Sequence, residues 1–135
     1  MKRTSKMKKA IITLFFIALI ITVGSIGKKL YFAHYKKLAD ERIEKVIEFQ
    51  GATLNNGKVM VDVYDSKNAC WFKSIYFHDD PDITYEYEYI KSSNEVRVWA
   101  MYNNMSLDLV NKEAKYPLID VYFDKEGNII KSEKR

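Results

Sequence analysis

The stretch Ile83-Thr84-Tyr85-Glu86-Tyr87-Glu88-Tyr89-Ile90 alternates large apolar or aromatic side chains with mostly polar ones. Successive side chains of a β-strand point to opposite faces of a sheet, so a period of two residues predicts a strand. The three tyrosines then share one face, and the two glutamates share the other. A strand with one buried and one solvated face is typical of an antiparallel sheet.

Segments with the same alternation lie on both sides of this stretch. In the first of them we expect Val59, Val61 and Val63 to share one face, opposite Met60 and Asp62. The complete set of expected strands is residues 58–65, 71–78, 83–90, 96–102, 118–123 and 129–131. These strands are close enough in sequence to form an antiparallel meander.

The polar segments between the strands predict turns. Residues 79–82 read Asp-Asp-Pro-Asp, and proline fixes its own backbone torsion in a turn. Residues 124–128 contain Gly127, which can take the left-handed torsion that a short hairpin loop requires. Residues 106–115, with Ser106 as its cap, are expected to form a short helix.

A helix is expected at residues 36–50, before the first strand. Apolar side chains recur there at helical spacing, among them Ile43, Val46 and Ile47, and Gly51 supplies a stop. The apolar face of this helix needs a cover. The following sheet would provide one, and so would a second copy of the helix in a dimer.

An uncharged apolar run occupies residues 10–27, after a leader with five basic residues at positions 2, 3, 6, 8 and 9. A helix of this length reaches about 27 Å, close to the roughly 30 Å hydrocarbon core of a bilayer. Thr13 and Thr22 can bond to the carbonyl one turn earlier, so their hydroxyls are tolerated. The apolar residues expected to form this membrane span are Ala10, Ile11, Ile12, Leu14, Phe15, Phe16, Ile17, Leu19, Ile20, Ile21 and Val23.

The span is expected to be a retained anchor with a cytoplasmic amino terminus. Positive charge is concentrated before it, and the run is longer than the apolar region of most signal peptides. Ser25 and Gly27 leave open a cleaved signal peptide, which would give a secreted domain, because they suit a cut before Lys28. We therefore expect a cytoplasmic leader (1–9), a transmembrane helix (10–27), a juxtamembrane helix (28–51) and an extracytoplasmic sheet domain (52–135).

The charge balance argues against nucleic acid as a partner. After the leader, the chain holds 17 Lys and Arg against 18 Asp and Glu, so the basic character of the whole chain belongs to the leader. The single cysteine, Cys70, cannot form a disulfide within the chain. Burial beside Trp71 and Phe72 is the expected state of this cysteine, with pairing between two chains as the alternative.

Together these elements predict one α+β protein, with a transmembrane helix that continues into, or is followed by, an amphipathic helix and then an antiparallel meander of about five to six strands. The arrangement is similar to cystatin-like and PepSY-like modules at the level of fold alone. The basic start, the single span, the charged helix and the segment Asp80-Pro81-Asp82-Ile83-Thr84-Tyr85-Glu86-Tyr87 resemble small bacterial single-pass membrane proteins of domain-of-unknown-function family 3139. That resemblance implies a membrane location and this architecture, and it carries no catalytic residue.

Residues with catalytic or metal-binding potential do not form a recognised motif. His34 and His78 are the only histidines, and the acidic turn beside His78 lacks the spacing of a zinc or calcium site. The serines lie in no nucleophile elbow, and no glycine-rich phosphate loop is present. We expect no catalytic site, no metal and no cofactor.

The tyrosine-rich strand leaves two interpretations open. Tyr85, Tyr87 and Tyr89 belong to the core if they face inward, whereas outward they would form an aromatic platform beside Glu86 and Glu88 for a partner. These five residues are the candidate binding residues. We expect an anchored module that contacts the lipid bilayer and binds a protein or peptide. The alternative is a homo-oligomeric accessory subunit, such as a homodimer, of a membrane system.

Overall fold

The computed structural model describes residues 2–135. Helix α1 (Lys2–Phe49) is followed by a 3-10 turn (Leu54–Asn56) and then by a sheet into which the one-turn helix α2 (Leu107–Val110) is inserted. The strands are β1 (Gly57–Asp65), β2 (Cys70–Phe77), β3 (Asp80–Ile90), β4 (Glu95–Tyr102), β5 (Met105–Ser106), β6 (Ile119–Phe123) and β7 (Ile129–Lys134). The predicted α+β arrangement is confirmed.

The chain divides into two compact units between His34 and Tyr35. In the first unit, all described residues are helical. An 18-residue window of α1 has a mean hydropathy of 2.5, and none of that window is buried within the chain. Thr13 and Thr22 donate their hydroxyls to the carbonyls of Lys9 and Ala18, as predicted. By length and composition this helix can cross a membrane, although a signal sequence would satisfy the same criteria.

The second unit contains the sheet, whose strand order is β1-β2-β3-β4-β6-β7, with β5 paired to β4. All neighbouring strands are antiparallel, so the predicted meander is confirmed. Strand β3 lies at its centre, where Tyr87 is aligned with Lys73 on one side and Val98 on the other. The alternating side chains of β3 therefore lie at the centre of both faces of the sheet.

Residues 35–49 of α1 pack on one face of this sheet. Their buried side chains are Tyr35, Ala39, Arg42, Ile43, Val46 and Ile47. The ring of Tyr35 contacts those of Tyr64, Trp71 and Tyr89, and the guanidinium of Arg42 lies over the Phe123 ring. The sheet thus covers the apolar helix face within one chain. Residues 35–49, which fall in the segment 28–51 expected to be a juxtamembrane helix, belong to the same compact unit as the strands.

The helix-covered face of β3 is formed by Tyr85, Tyr87 and Tyr89, which are 0, 0 and 1% exposed. Each hydroxyl has a hydrogen-bond acceptor. The Tyr87 hydroxyl donates to Oε1 of Gln50 at 2.8 Å, and the Tyr89 hydroxyl donates to Oδ1 of Asn94 at 2.9 Å. Burial raises the pKa of both hydroxyls, so the tyrosines stay neutral in the core.

A charged cluster lies where α1 meets β1 and β2, and Lys73 is its buried member. The Nζ of Lys73 lies 2.5 Å from Oδ1 of Asp40 and 3.8 Å from Oδ2 of Asp62. Burial alone would raise the pKa of Asp62, but a hydrogen bond from Nε1 of Trp71 and the charges of Lys73 and Lys36 hold it below its usual value. Because every charge in the cluster has an opposite neighbour, the buried lysine is tolerated.

The structure corrects three details of the predicted elements. The strand expected at residues 83–90 begins at Asp80, so the turn is shorter than residues 79–82. The helix expected at residues 106–115 is the single turn α2, and the Ser106 side chain makes no capping bond. In β1, a bulge between Val59 and Val61 shifts the register, so Val61 and Val63 lie on the face opposite Val59.

Candidate partner-binding face

Residues 35–49 of α1 cover one face of the sheet, and that part of the helix leaves the opposite face uncovered. We call this surface the open face, and its members are Val61, Val63, Phe72, Ser74, Glu86, Glu88, Arg97, Trp99, Met101, Asp120 and Glu133. They share a face because the strand registers alternate regularly after the bulge in β1. The central strand β3 contributes Glu86 and Glu88, directly behind the buried tyrosines.

The β1 and β2 side of the open face is apolar. Val61 and Val63 are 39 and 50% exposed, and Phe72, which is aligned with Val63, is half-buried. Val61, Val63 and Phe72 border one depression in the surface together with Tyr64 and Asp65. Isolated exposed apolar residues are common on protein surfaces, but neighbouring ones on an uncovered sheet indicate a contact surface.

Trp99 is the largest exposed apolar side chain at the centre of the open face. It is 44% exposed and aligned with Glu86 of β3. Glu86, Glu88, Trp99, Met101 and Ser106 line a groove of about 280 Å³. Aromatic and methionine side chains next to polar groups are the composition of many protein-binding surfaces.

Opposite charges on the β4, β6 and β7 side of the open face neutralise one another. Arg97 donates to Oε1 of the buried Glu95 at 2.8 Å, and Nε of Arg135 donates to Oδ1 of Asp120 at 2.7 Å. Lys131 pairs with Glu133 at the outer strand. This part of the face therefore presents little unbalanced charge.

Glu86 and Glu88 differ from those acids because they form no hydrogen bond or ion pair with any side chain of residues 2–135. Both are half-buried and lie two residues apart on the same strand face. Burial, followed by the charge of Glu88, raises the pKa of Glu86. The folded protein thus places the Glu86 carboxylate in a setting that disfavours its negative charge.

The structure separates the five candidate binding residues into two groups. Glu86 and Glu88 reach the open face, whereas Tyr85, Tyr87 and Tyr89 lie in the core beneath α1. The outward tyrosine platform is therefore wrong, because α1 covers that face and the hydroxyls are bonded internally. The exposed aromatic residue of the open face is Trp99, which is aligned with Glu86.

The acidic turn near His78 has a structural role. Oδ1 of Asp79 accepts from Nδ2 of Asn56 at 2.9 Å, and its Oδ2 accepts from Nζ of Lys115 at 2.7 Å. Asp80 accepts from the Tyr85 hydroxyl and from the Lys115 amide. These carboxylates tie the segment after α2 to β3. Within residues 2–135, no group of three or more His, Cys, Asp or Glu side chains is arranged to hold a metal ion.

Cys70 lies at the start of β2 and is 1% exposed, so the predicted burial is confirmed. Burial raises the pKa of its thiol to about 11, and the charges of Glu88 and Asp65 act in the same direction. A buried thiol that stays protonated at neutral pH is a poor nucleophile and a poor partner for an interchain disulfide.

Comparison with known proteins adds no relative: no protein-family model, no curated protein and no solved structure matches the chain. The resemblance to family 3139 therefore stays a prediction.

Proposed function

We propose that this chain is a single-pass membrane-anchored module that binds a protein or peptide partner through the open face. In this proposal the amino terminus is cytoplasmic, the unit Tyr35–Arg135 is extracytoplasmic, and the chain acts by binding and not by catalysis. Membership of family 3139 is part of the same proposal. The observation that carries it is an uncovered sheet face on which exposed apolar side chains surround two carboxylates without ion partners.

The anchoring half of the proposal is supported by the charge pattern around the apolar helix. Five basic residues precede the span, and the acidic residues of the chain all follow it. Positive flanks favour the cytoplasmic side of a membrane. N-terminal sequencing of the membrane-bound protein tests retention, which requires the original amino terminus. A mature protein that starts at Lys28 and is recovered from the medium would show that the apolar helix is a signal peptide.

The binding half is tested by affinity capture of the full chain, with its span intact, from solubilised membranes. The informative variants are Val63→Ser and Trp99→Ser, which remove apolar side chains from the open face. Leu109→Ser is the matched control, because Leu109 is 81% exposed and lies on α2, outside the residues that define the open face. We expect a partner at defined stoichiometry with the unmodified chain and with Leu109→Ser, and a several-fold loss with the other two variants.

Two results would overturn the proposed binding role. Recovery of the chain alone, in a discrete self-associated form, would favour the homo-oligomeric accessory subunit. Equal recovery of the partner by all variants would show that the binding site lies outside the open face.

A further inference from the structure

We infer that the occupant of the open face is a cationic amphipathic segment, in which Lys or Arg side chains pair with Glu86 and Glu88 while adjacent apolar side chains cover Val63, Phe72 and Trp99. This inference rests on the proposed function, since it specifies the chemistry of the partner at the same face. Three observations support it: the charge pairing on the sheet, the register of the strands, and the position of the Arg135 guanidinium over the Trp99 ring.

Charge pairing identifies what the face lacks. Two of its acids and the buried Glu95 beside them are neutralised within the chain: Asp120 by Arg135, Glu133 by Lys131 and Glu95 by Arg97. Glu86 and Glu88 are left without such a neighbour. Arg97 is aligned with Glu88, yet its guanidinium donates to Glu95. A partner must therefore supply the positive charge. Apolar or neutral groups over two half-buried carboxylates would displace their hydrating water and leave the negative charges without a compensating interaction.

The strand register fixes where apolar contacts must lie relative to that charge. Glu88 is aligned with Phe72, and Phe72 with Val63, so two apolar side chains lie within two strands of this carboxylate. Glu86 is aligned with Trp99 on the other side. Neighbouring strands are about 4.8 Å apart, which is within the reach of adjacent side chains in one short segment. A segment that carries basic and apolar residues together satisfies both requirements, whereas a purely basic segment leaves the apolar side chains uncovered.

Arg135 shows how this surface accommodates a cation. Its guanidinium carbon lies 3.6 Å from the centre of the Trp99 ring, and its Nε bonds to Asp120. A planar cation held between an aromatic ring and a carboxylate is a favourable arrangement when it is partly shielded from water. Trp99 and Glu86 are aligned on neighbouring strands and line the same groove, so a ring and a carboxylate are also available together to a cation from a partner.

The test uses the full chain in nanodiscs of phosphatidylcholine, with empty nanodiscs as the background. The probes are three fluorescein-labelled peptides of equal length: one alternates Lys with Leu, one alternates Glu with Leu, and one alternates Lys with Ser. Binding is followed by fluorescence anisotropy. The test variant is Glu86→Gln with Glu88→Gln, which preserves shape and removes charge. The matched control is Glu113→Gln with Glu126→Gln, because both residues are exposed and lie outside the open face.

We expect the Lys/Leu peptide to bind at least about tenfold more tightly than either other peptide. The Glu86/Glu88 double variant should lose at least about tenfold in affinity for it, and the control variant should lose none. The far-UV circular dichroism and melting temperature of each variant show that it is folded. Absent binding of the Lys/Leu peptide, equal binding of the Glu/Leu peptide, or an unaffected double variant would each overturn the inference.

Affinity capture with the same double variant separates this inference from the proposed function. If the unmodified chain captures a partner and the double variant captures it equally well, the partner does not need these carboxylates and only the inference fails. If the unmodified chain captures no partner, the proposed function itself fails.

Discussion

The hydroxyl of Tyr85 donates to Oδ2 of Asp80, at the start of the same strand β3, at 2.6 Å. The same oxygen accepts the backbone N–H of Tyr116 at 3.1 Å, so one core tyrosine satisfies groups from two parts of the chain. Burial raises the pKa of Tyr85, and the bond to Asp80 raises it further. The neutral hydroxyl is therefore kept as both donor and acceptor.

Replacement of Tyr85 by Phe should destabilise the fold. It leaves the buried N–H of Tyr116 without an acceptor, and the free energy of unfolding should fall by about 1 to 3 kcal/mol. Urea denaturation measures this difference. The control is Tyr76→Phe, whose exposed hydroxyl contacts Nδ1 of the exposed His78, and which should cost under about 0.5 kcal/mol. Equal losses in the two variants would contradict a special role for Tyr85.

Gly127 and Gly51 form a matched pair for measuring how tightly α1 holds the β6–β7 hairpin. Both have a left-handed backbone, with φ of +89° and +87°. An added methyl group meets nothing at Gly51, but at Gly127 it would overlap the guanidinium of the buried Arg42. Gly51→Ala should cost about 1 kcal/mol from backbone strain alone, and Gly127→Ala should cost clearly more. Thermal melts compare the two, and similar losses would show that Arg42 moves aside freely.

Cys70 should resist modification in the folded protein. With a thiol pKa of about 11, only about one thiol in a thousand is ionised at pH 8, and burial limits access as well. An aromatic disulfide reagent should therefore react at least about a hundred times more slowly with native protein than with protein in guanidinium chloride. Cys70→Ser serves as the blank. Rapid labelling, or a disulfide-linked dimer on mild oxidation, would show that the β1–β2 hairpin opens readily.

Glu86 should make the stability of the fold depend on pH. Its pKa is raised in the folded state by burial and by Glu88, so the folded state binds this proton more tightly than the unfolded chain does. The stabilising contribution is present below the ordinary glutamate pKa and is lost as pH rises through the raised value. Arg97 is the nearest facing charge on β4, and β2 contributes only the neutral Ser74.

Glu86→Gln removes this titration. The variant should match the unmodified chain at about pH 3.5 and unfold at a higher urea concentration at about pH 7.5. Glu126→Gln, in an exposed loop, should leave the difference between the two pH values unchanged. A variant less stable at the higher pH would mean that the Glu86 carboxylate is stabilised by the fold.

Alternation predicted most of the sheet because apolar and polar residues exchange regularly in its central strands. The facing of Tyr85, Tyr87 and Tyr89, and of Val96 and Val98, follows from the sequence and from the rule that the apolar face is the core. Gly51 and Gly127 also mark turns where the structure has positive φ.

The open face could be predicted only in part. Glu86 and Glu88 follow from alternation, but the apolar flank formed by Val61 and Val63 depends on the bulge at Met60, and one extra residue leaves no local signal in a run that reads Val-Met-Val-Asp-Val. Arg97 bonds to Glu95 on its own strand and not to the aligned Glu88 on β3, and only the side-chain geometry of the structure shows this choice. Alternation alone therefore could not predict that Glu86 lacks a cation beside it.

The second compact unit begins at Tyr35, so its fold does not depend on whether the apolar helix is retained or removed. A cut after Gly27 would leave the core residues of α1, the whole sheet and both carboxylates in one piece. Processing would then change how far the molecule can travel and how many copies share one patch of membrane, while the proposed binding face stayed the same. Under the proposed function, one gene product would act either at a fixed location or as a diffusible competitor for the same partner.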